Sequence, residues 1–351
     1  MKKTQIAVLA ALVASTFATE DASAQMATQV ANDEFTPKSL NINGEVGLPL
    51  NPTAQLPDDG EIRVQGNYYD IGKVKNPVDF EVSEASVSAL VELEPGLDSD
   101  ENIADYKYYG LFGAGRAGER LEISGGVAKL RANGGLLFSI FEPFGGGGEE
   151  EISLQKIEIP DSGFGSFVTV DYPDLNKTGF ALGAKYLIKP AVNADDFAVA
   201  AGIGLNTALA DNVHAYLVAS KGLTNGNRAI KAHIGVRYDR FKLSARRTEV
   251  NFEGDFFTID SRDFRATSSK VSAFVGAEVP IDSKGRFTFV GEFQSRNTDT
   301  SGPDSSFFGD GSSPYSLSLR YAKDKVNASV GVQRQGVIRD SGLFAQVGYA
   351  F

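Results

Sequence analysis

The stretch Gly342-Leu-Phe-Ala-Gln-Val-Gly-Tyr-Ala-Phe351 has the pattern that decides the fold. Leu343, Ala345, Val347, Tyr349 and Phe351 fall on one side of an extended chain. Gly342, Gln346, Gly348 and Ala350 fall on the other, with Phe344 as the single apolar intruder. Period-two alternation is the mark of a strand with one apolar face. Such a strand, closing on an aromatic side chain, predicts a sheet whose apolar face is covered, because free termini otherwise fray in water.

Working back from it, strand-like runs alternate with turns almost to residue 61. They fall at 62–71, 106–114, 119–130, 164–172, 180–189, 197–206, 213–222, 230–238, 241–247, 271–279, 286–295, 315–321, 326–334 and 343–351. Every second connection is short: 115–118, 173–178, 207–212, 239–240, 280–285 and 322–325. The alternate ones include the long 72–105, 131–163, 248–270 and 296–314. Short turns at one rim and long loops at the other predict an antiparallel up-and-down barrel rather than a soluble β-sandwich. Tyr172, Phe180, Tyr238, Phe241, Phe287, Tyr321, Tyr349 and Phe351 are all expected at the short-turn rim, as a girdle at a membrane interface.

The terminal Tyr349-Ala350-Phe351 resembles the last strand of bacterial outer-membrane β-barrels. The resemblance implies an all-β, transmembrane, antiparallel barrel over 61–351, of about fourteen strands with twelve as the alternative. It also implies short periplasmic turns, outer-membrane lipid as surroundings, and the barrel-assembly machinery as the reader of the last strand. A second stretch, Gly47-Leu-Pro-Leu-Asn-Pro-Thr-Ala-Gln-Leu-Pro-Asp-Asp-Gly60, resembles the opening of barrel families linked to exopolysaccharide export. No functional residue is carried over from that likeness.

Ahead of the barrel, Lys2 and Lys3, the apolar run Ile6–Ala18 and Ala22-Ser23-Ala24 have the three parts of a secretory signal peptide, with cleavage expected after Ala24. Residues 25–60 read as an irregular periplasmic segment. The chain has no cysteine, which excludes thiolate metal sites and thiol nucleophiles. A formal charge of −11 argues against nucleic acid as a partner. The 38 glycines, 24 phenylalanines and 12 tyrosines favour strands over helices.

Strand faces give the expected role. Uncharged sets such as Leu182/Ala184/Tyr186/Ile188, Val199/Ala201/Ile203/Leu205 and Val326/Ala328/Val330/Val332 are assigned to lipid. The opposite faces carry Arg63, Lys185, Lys231, Arg237, Lys242, Arg246 and Arg320, with Glu122, Glu278 and Glu292. A charge on the lipid side would cost about 2–4 kcal/mol at the bilayer midplane, so these are placed in the lumen. A basic lumen predicts a passive channel for small polar or anionic solutes, lined by those cations with Glu278 and Glu292. If the charges pair across the lumen, the barrel is instead a non-conducting structural or surface element. No oligomeric state follows from the sequence.

Other chemistry finds little support. The two histidines, His214 and His233, sit near Ser220 on neighbouring runs, but a serine–histidine site needs an orienting third group and an oxyanion donor, and neither is marked. The run Gly145–Gly148 lacks the Lys-Ser/Thr of a phosphate loop. Asp98-Ser-Asp-Glu-Asn102 lacks the spacing of a dedicated calcium loop. No catalytic residue, cofactor or metal is assigned.

Overall fold

The computed structural model describes residues 39–74, 104–133, 136–142, 164–171, 177–191, 196–225, 228–253, 256–282, 286–301, 311–336 and 341–351. The expected leader Met1–Ala24, the polar run Gln25–Lys38, Tyr172 and the runs at 97–102 and 145–151 lie outside them.

All regular structure among the described residues is β. The strands are β1 (Ile62–Val74), β2 (Ala104–Ala117), β3 (Leu121–Asn133), β4 (Leu136–Glu142) and β5 (Phe164–Asp171). There follow β6 (Lys177–Lys189), β7 (Phe197–Asn206), β8 (Asn212–Asn225), β9 (Arg228–Glu253) and β10 (Phe256–Pro280). The chain finishes with β11 (Phe287–Gln294), β12 (Thr300–Ser301), β13 (Tyr315–Lys323), β14 (Val326–Arg334) and β15 (Ser341–Ala350). Twelve of these, all but β4, β5 and β12, pair antiparallel in chain order into a closed barrel. The seam joins β15 to β1, from Arg63 opposite Ala350 to Asp70 opposite Leu343. Closure leaves the ring without an unpaired edge.

The count is therefore the alternative twelve rather than fourteen, for two reasons. The runs 230–238 and 241–247 form one continuous strand, β9, with no turn at Asp239-Arg240. The run 164–172 supplies β5, which stands outside the ring. It pairs with Arg246–Glu253, the distal part of β9, and with β4. The expected loop 248–270 is likewise mostly strand, the far end of a β9–β10 hairpin paired from Lys231/Glu278 out to Glu253/Phe256. Beyond the start of β8, opposite Arg240, this hairpin continues for about 40 Å of strand past the barrel rim.

The outward faces match the expectation. Leu343 and Val347 are 63% and 61% exposed while Phe344 and Gln346 between them are 1% exposed, the signature of a strand with lipid on one side. Leu182, Tyr186, Ile203, Val330 and Val332 are also exposed. Phe344 is no intruder: it packs inward on Tyr69, with ring centroids 5.6 Å apart.

The girdle divides. Phe287, Tyr321, Tyr349 and Phe351 gather at the rim that carries the chain's last residue, with Phe287 and Tyr321 rings 5.0 Å apart. Phe180 and Tyr238 lie near the opposite rim, and Phe241 is buried inside. The absence of a turn at 239–240 is the reason, since it reverses the direction of the strands from β6 to the first half of β9.

The largest departure is at residues 39–56. This segment is irregular, as expected, but it runs inside the barrel instead of beneath it. Leu40, Ile42, Val46, Leu48, Leu50, Ala54 and Leu56 are all buried. The Gly47–Gly60 stretch encodes its turns. The Leu48 N–H donates to the Asn51 carbonyl at 2.9 Å, and Gly47 bridges Pro52. A side chain at Gly47 would place its Cβ 2.4 Å from that carbonyl, so only glycine fits. Gly44, at φ +90°, closes the preceding turn against Phe112. Changing Gly47 to Ala is expected to unseat the segment without unfolding the barrel. Limited proteolysis of refolded protein would then show new cuts within 39–56 while the heat-resistant barrel band persists.

Candidate functional site: the plugged lumen

An irregular segment buried in a barrel carries backbone N–H and C=O groups that no strand satisfies, and leaving them unpaired is costly. Here the lumen side chains meet them one peptide at a time. Gln65 of β1 grips Leu40 from both sides: its Oε1 accepts from the Leu40 N–H at 2.9 Å and its Nε2 donates to the Leu40 carbonyl at 2.6 Å. Val46 is held by an ion pair. The Lys185 Nζ lies 2.8 Å from Glu122 Oε2 and donates to the Val46 carbonyl at 2.9 Å. Glu122 Oε1 accepts from the Val46 N–H at 3.0 Å.

A second set holds the next turn. Glu292 accepts from the backbone N–H groups of Leu50 and Asn51 at 2.7 and 3.1 Å, and from the Asn51 side chain at 3.0 Å. Arg237, paired with Asp239 at 2.9 Å, donates to the Leu50 carbonyl at 3.2 Å. In the reverse sense, Glu45 reaches out from the plug to the wall. It accepts from the Tyr216 hydroxyl at 2.8 Å and lies 3.3 Å from His214 Nε2. Period-two strands present these polar residues inward at the same positions where alternate residues meet lipid.

A further chain crosses β8, β9, β10 and β13. Arg320 lies 2.8 Å from Glu278 Oε2, whose Oε1 is 3.2 Å from His233 Nε2, and His233 Nδ1 is 2.8 Å from the Ser220 hydroxyl. Glu278 is thus the third group that the sequence did not reveal for a serine–histidine pair. In this structure, however, the Ser220 oxygen accepts the Ala54 N–H at 2.9 Å and all three side chains are buried. The trio holds the plug, as the neighbouring groups do.

The expected pore-lining set is only partly brought together. Lys185, Arg237, Arg320, Glu278 and Glu292 face the lumen and are buried. Arg63 lies inward at the mouth beside Glu61, and Lys231 is half-buried opposite Glu278. Lys242 and Arg246 do not belong. With β9 continuous, even-numbered positions there point outward: Lys242 is exposed, and Arg246 pairs with Asp263 at 2.8 Å on the projecting hairpin. Losing those two and gaining the buried Asp239 brings the interior close to charge balance. Asp239 has the sequence setting of a turn residue, and Glu45 and Asn51 carry no sequence signal because nothing periodic marks a plug.

No family model matches the chain, and no curated protein matches it. Among solved structures, it is similar to LpxR from Salmonella typhimurium, at 10% identity over 82% of this chain and 99% of that one, with a TM-score of 0.32. It is also similar to OprB of Pseudomonas putida, at 10% identity over 83% and 93%, TM-score 0.23. A porin of Rh. blastica matches at 8% identity over 83% and 98%, TM-score 0.22. Overlaps this low carry no argument about function. The reading of this chain rests on its own register: a closed antiparallel barrel with an apolar outer belt between aromatic rims, the form that spans a membrane.

Proposed function

We propose that the protein is an outer-membrane barrel closed at rest, a channel whose lumen opens to polar solutes only when residues 39–56 withdraw. The observation that supports this is the lumen itself. Gln65, Glu122, Lys185, Arg237 and Glu292 bond the backbone of the plug, so they do not line an open path. An open, anion-selective pore fits poorly with that filling and with near-balanced interior charge. The rim bearing Phe351 is the periplasmic one in this reading, and the projecting β9–β10 hairpin lies outside the cell.

Planar-bilayer conductance tests it. Refolded full-length protein is expected to be silent, and a variant lacking residues 39–56 to give steady steps with weak ion selectivity. Equal conductance in both would overturn the plug. Silence in a deletion variant that still forms the barrel would favour a non-conducting surface barrel, the reading under which a link to exopolysaccharide export would be pursued.

A further inference from the structure

The outward face of the β9–β10 hairpin changes character at Tyr238. On the membrane side of it, Ile234, Val236 and Val271 are exposed and apolar, part of the lipid belt. Beyond it, the same face carries Arg240, Lys242 and Arg265, all exposed. The hairpin register fixes their spacing: Arg240 stands opposite Ser269, Lys242 opposite Thr267, and Ser244 opposite Arg265. Lys242 therefore has Arg240 two residues along its own strand and Arg265 on the diagonal, each roughly 7 Å away. Interfacial tyrosines sit at the level where headgroups begin. Arg240 and Lys242 lie one and two steps beyond Tyr238, which at the tilt of barrel strands is roughly 5–10 Å of height. The polar layer of a leaflet is about 5–8 Å deep, so these cations stand among headgroups.

Carboxylates border this patch, each with a cation of its own. Among the described residues, Asp211 pairs with Lys177 at 2.8 Å, Asp263 pairs with Arg246 at 2.8 Å, and Asp299 lies 3.6 Å from Lys270. Asp171 of β5 stands opposite Arg246 in the register, so Arg246 is not counted in the patch. The face as a whole keeps an excess of positive charge, on a chain whose formal charge is −11. Cations held this close raise one another's energy, and an anion placed among them relieves the repulsion. Phosphate suits the set. Two guanidinium groups can each bind it through paired N–H donors, and the ammonium between them adds a point charge. Ser244, Thr267 and Ser269, at the positions between, bring hydroxyls that can donate to its other oxygens.

The setting favours a lipid over a soluble anion. The patch lies on an open strand surface with no walls to hold a small ion. Directly beneath it, Ile234, Val236 and Val271 offer an apolar surface to acyl chains. A lipid that lies along this belt brings its headgroup to the cations and is held at both ends. We propose that the outward face of β9 and β10 binds the phosphate of a lipid headgroup in the leaflet at the hairpin rim, with Lys242 central and Arg240 and Arg265 flanking it. The inference rests on the membrane-spanning reading above and is independent of whether the barrel conducts, because the patch faces away from the lumen.

The test reconstitutes refolded full-length protein in bilayers of phosphatidylcholine with a minor share of phosphatidic acid. The folded barrel is then extracted in mild detergent, and the lipid it retains is quantified. Phosphatidic acid is expected to be enriched about tenfold or more over its share of the bilayer. The triple variant Arg240→Gln, Lys242→Gln, Arg265→Gln should abolish that enrichment while keeping the barrel band, since all three side chains are exposed. Neutralising the exposed Lys323 and Lys325 at the opposite rim should leave it unchanged, as should millimolar inorganic phosphate at constant ionic strength. The proposal is overturned if phosphatidic acid is not enriched or if the triple variant retains it as the wild type does. It is equally overturned if the opposite-rim variant loses as much, or if inorganic phosphate displaces the lipid. A folded barrel that does not enter the bilayer would overturn the membrane-spanning reading, and this inference with it.

Discussion

Changing Lys185 to Met is expected to cost the folded protein about 3–5 kcal/mol, because it strands a buried carboxylate. Lys185 and Glu122 are both fully buried and 2.8 Å apart, and between them they satisfy both polar groups of the Val46 peptide. Without the ammonium, the buried Glu122 carboxyl is left with one backbone N–H as its partner, and the Val46 carbonyl keeps only the longer bond from the Thr53 N–H, at 3.3 Å. The double variant Lys185→Met, Glu122→Gln should recover much of the loss, since the remaining amide is neutral and still able to accept from Val46. Urea titration followed by the shift of the folded band on a gel gives both values. Equal destabilisation by the single and double variants would show that the pair is not coupled.

The second large effect separates plug from wall. Glu292→Leu removes the acceptor for two backbone N–H groups and one side-chain amide of the plug. Each buried donor left unmet costs about 1–3 kcal/mol, so the seated plug should lose on the order of 3 kcal/mol or more. Strand pairing does not use the Glu292 side chain, and the ring register from β10 through β13 stays as it is. The expected outcome is local: intermittent current and new protease cuts in 39–56, with the barrel band unchanged. Glu292→Gln, which keeps an acceptor oxygen, should be milder. A variant that loses the barrel band as readily as it loses the plug would show that plug and ring unfold as one unit.

How much of this could be read from the sequence differs by element. The outward faces could be read because lipid on one side forces a strict alternation, visible in Leu343, Ala345, Val347 and Tyr349. The strand count could not, because of one residue pair. Asp239-Arg240 between Tyr238 and Phe241 has the composition of a turn, yet Asp239 points into the lumen, where it meets Arg237, Asn212 and Gln294. Only the cross-lumen partners tell a buried aspartate from a turn aspartate. From that misplaced turn came the wrong side for Lys242 and Arg246 and the wrong rim for Tyr238.

The plug was least legible. Leu40, Ile42, Val46, Leu48 and Leu50 are apolar, but prolines and tight turns break their spacing, so neither a strand nor a helix period appears. Its burial is decided by a cavity that exists only once twelve strands have closed. The Gly47–Gly60 stretch is rich in turn-forming residues, and they do make turns, but nothing in the sequence says that the turns lie inside the barrel.

The seam between β1 and β15 bears on how such a molecule can be built. These are the first and last strands of the ring, joined from Arg63/Ala350 to Asp70/Leu343, and a final bond runs from the Phe351 N–H to the Ile62 carbonyl. The ring can shut only after every other strand is in hand, and the plug is spliced directly onto the strand that shuts it. Residues 39–56 therefore need not be threaded into a finished cylinder. They can lie against the open, curved sheet while the wall is still a half-pipe, and the last zipping step encloses them. The seam thus allows one simple order of events, with the filling placed first and the wall closed around it.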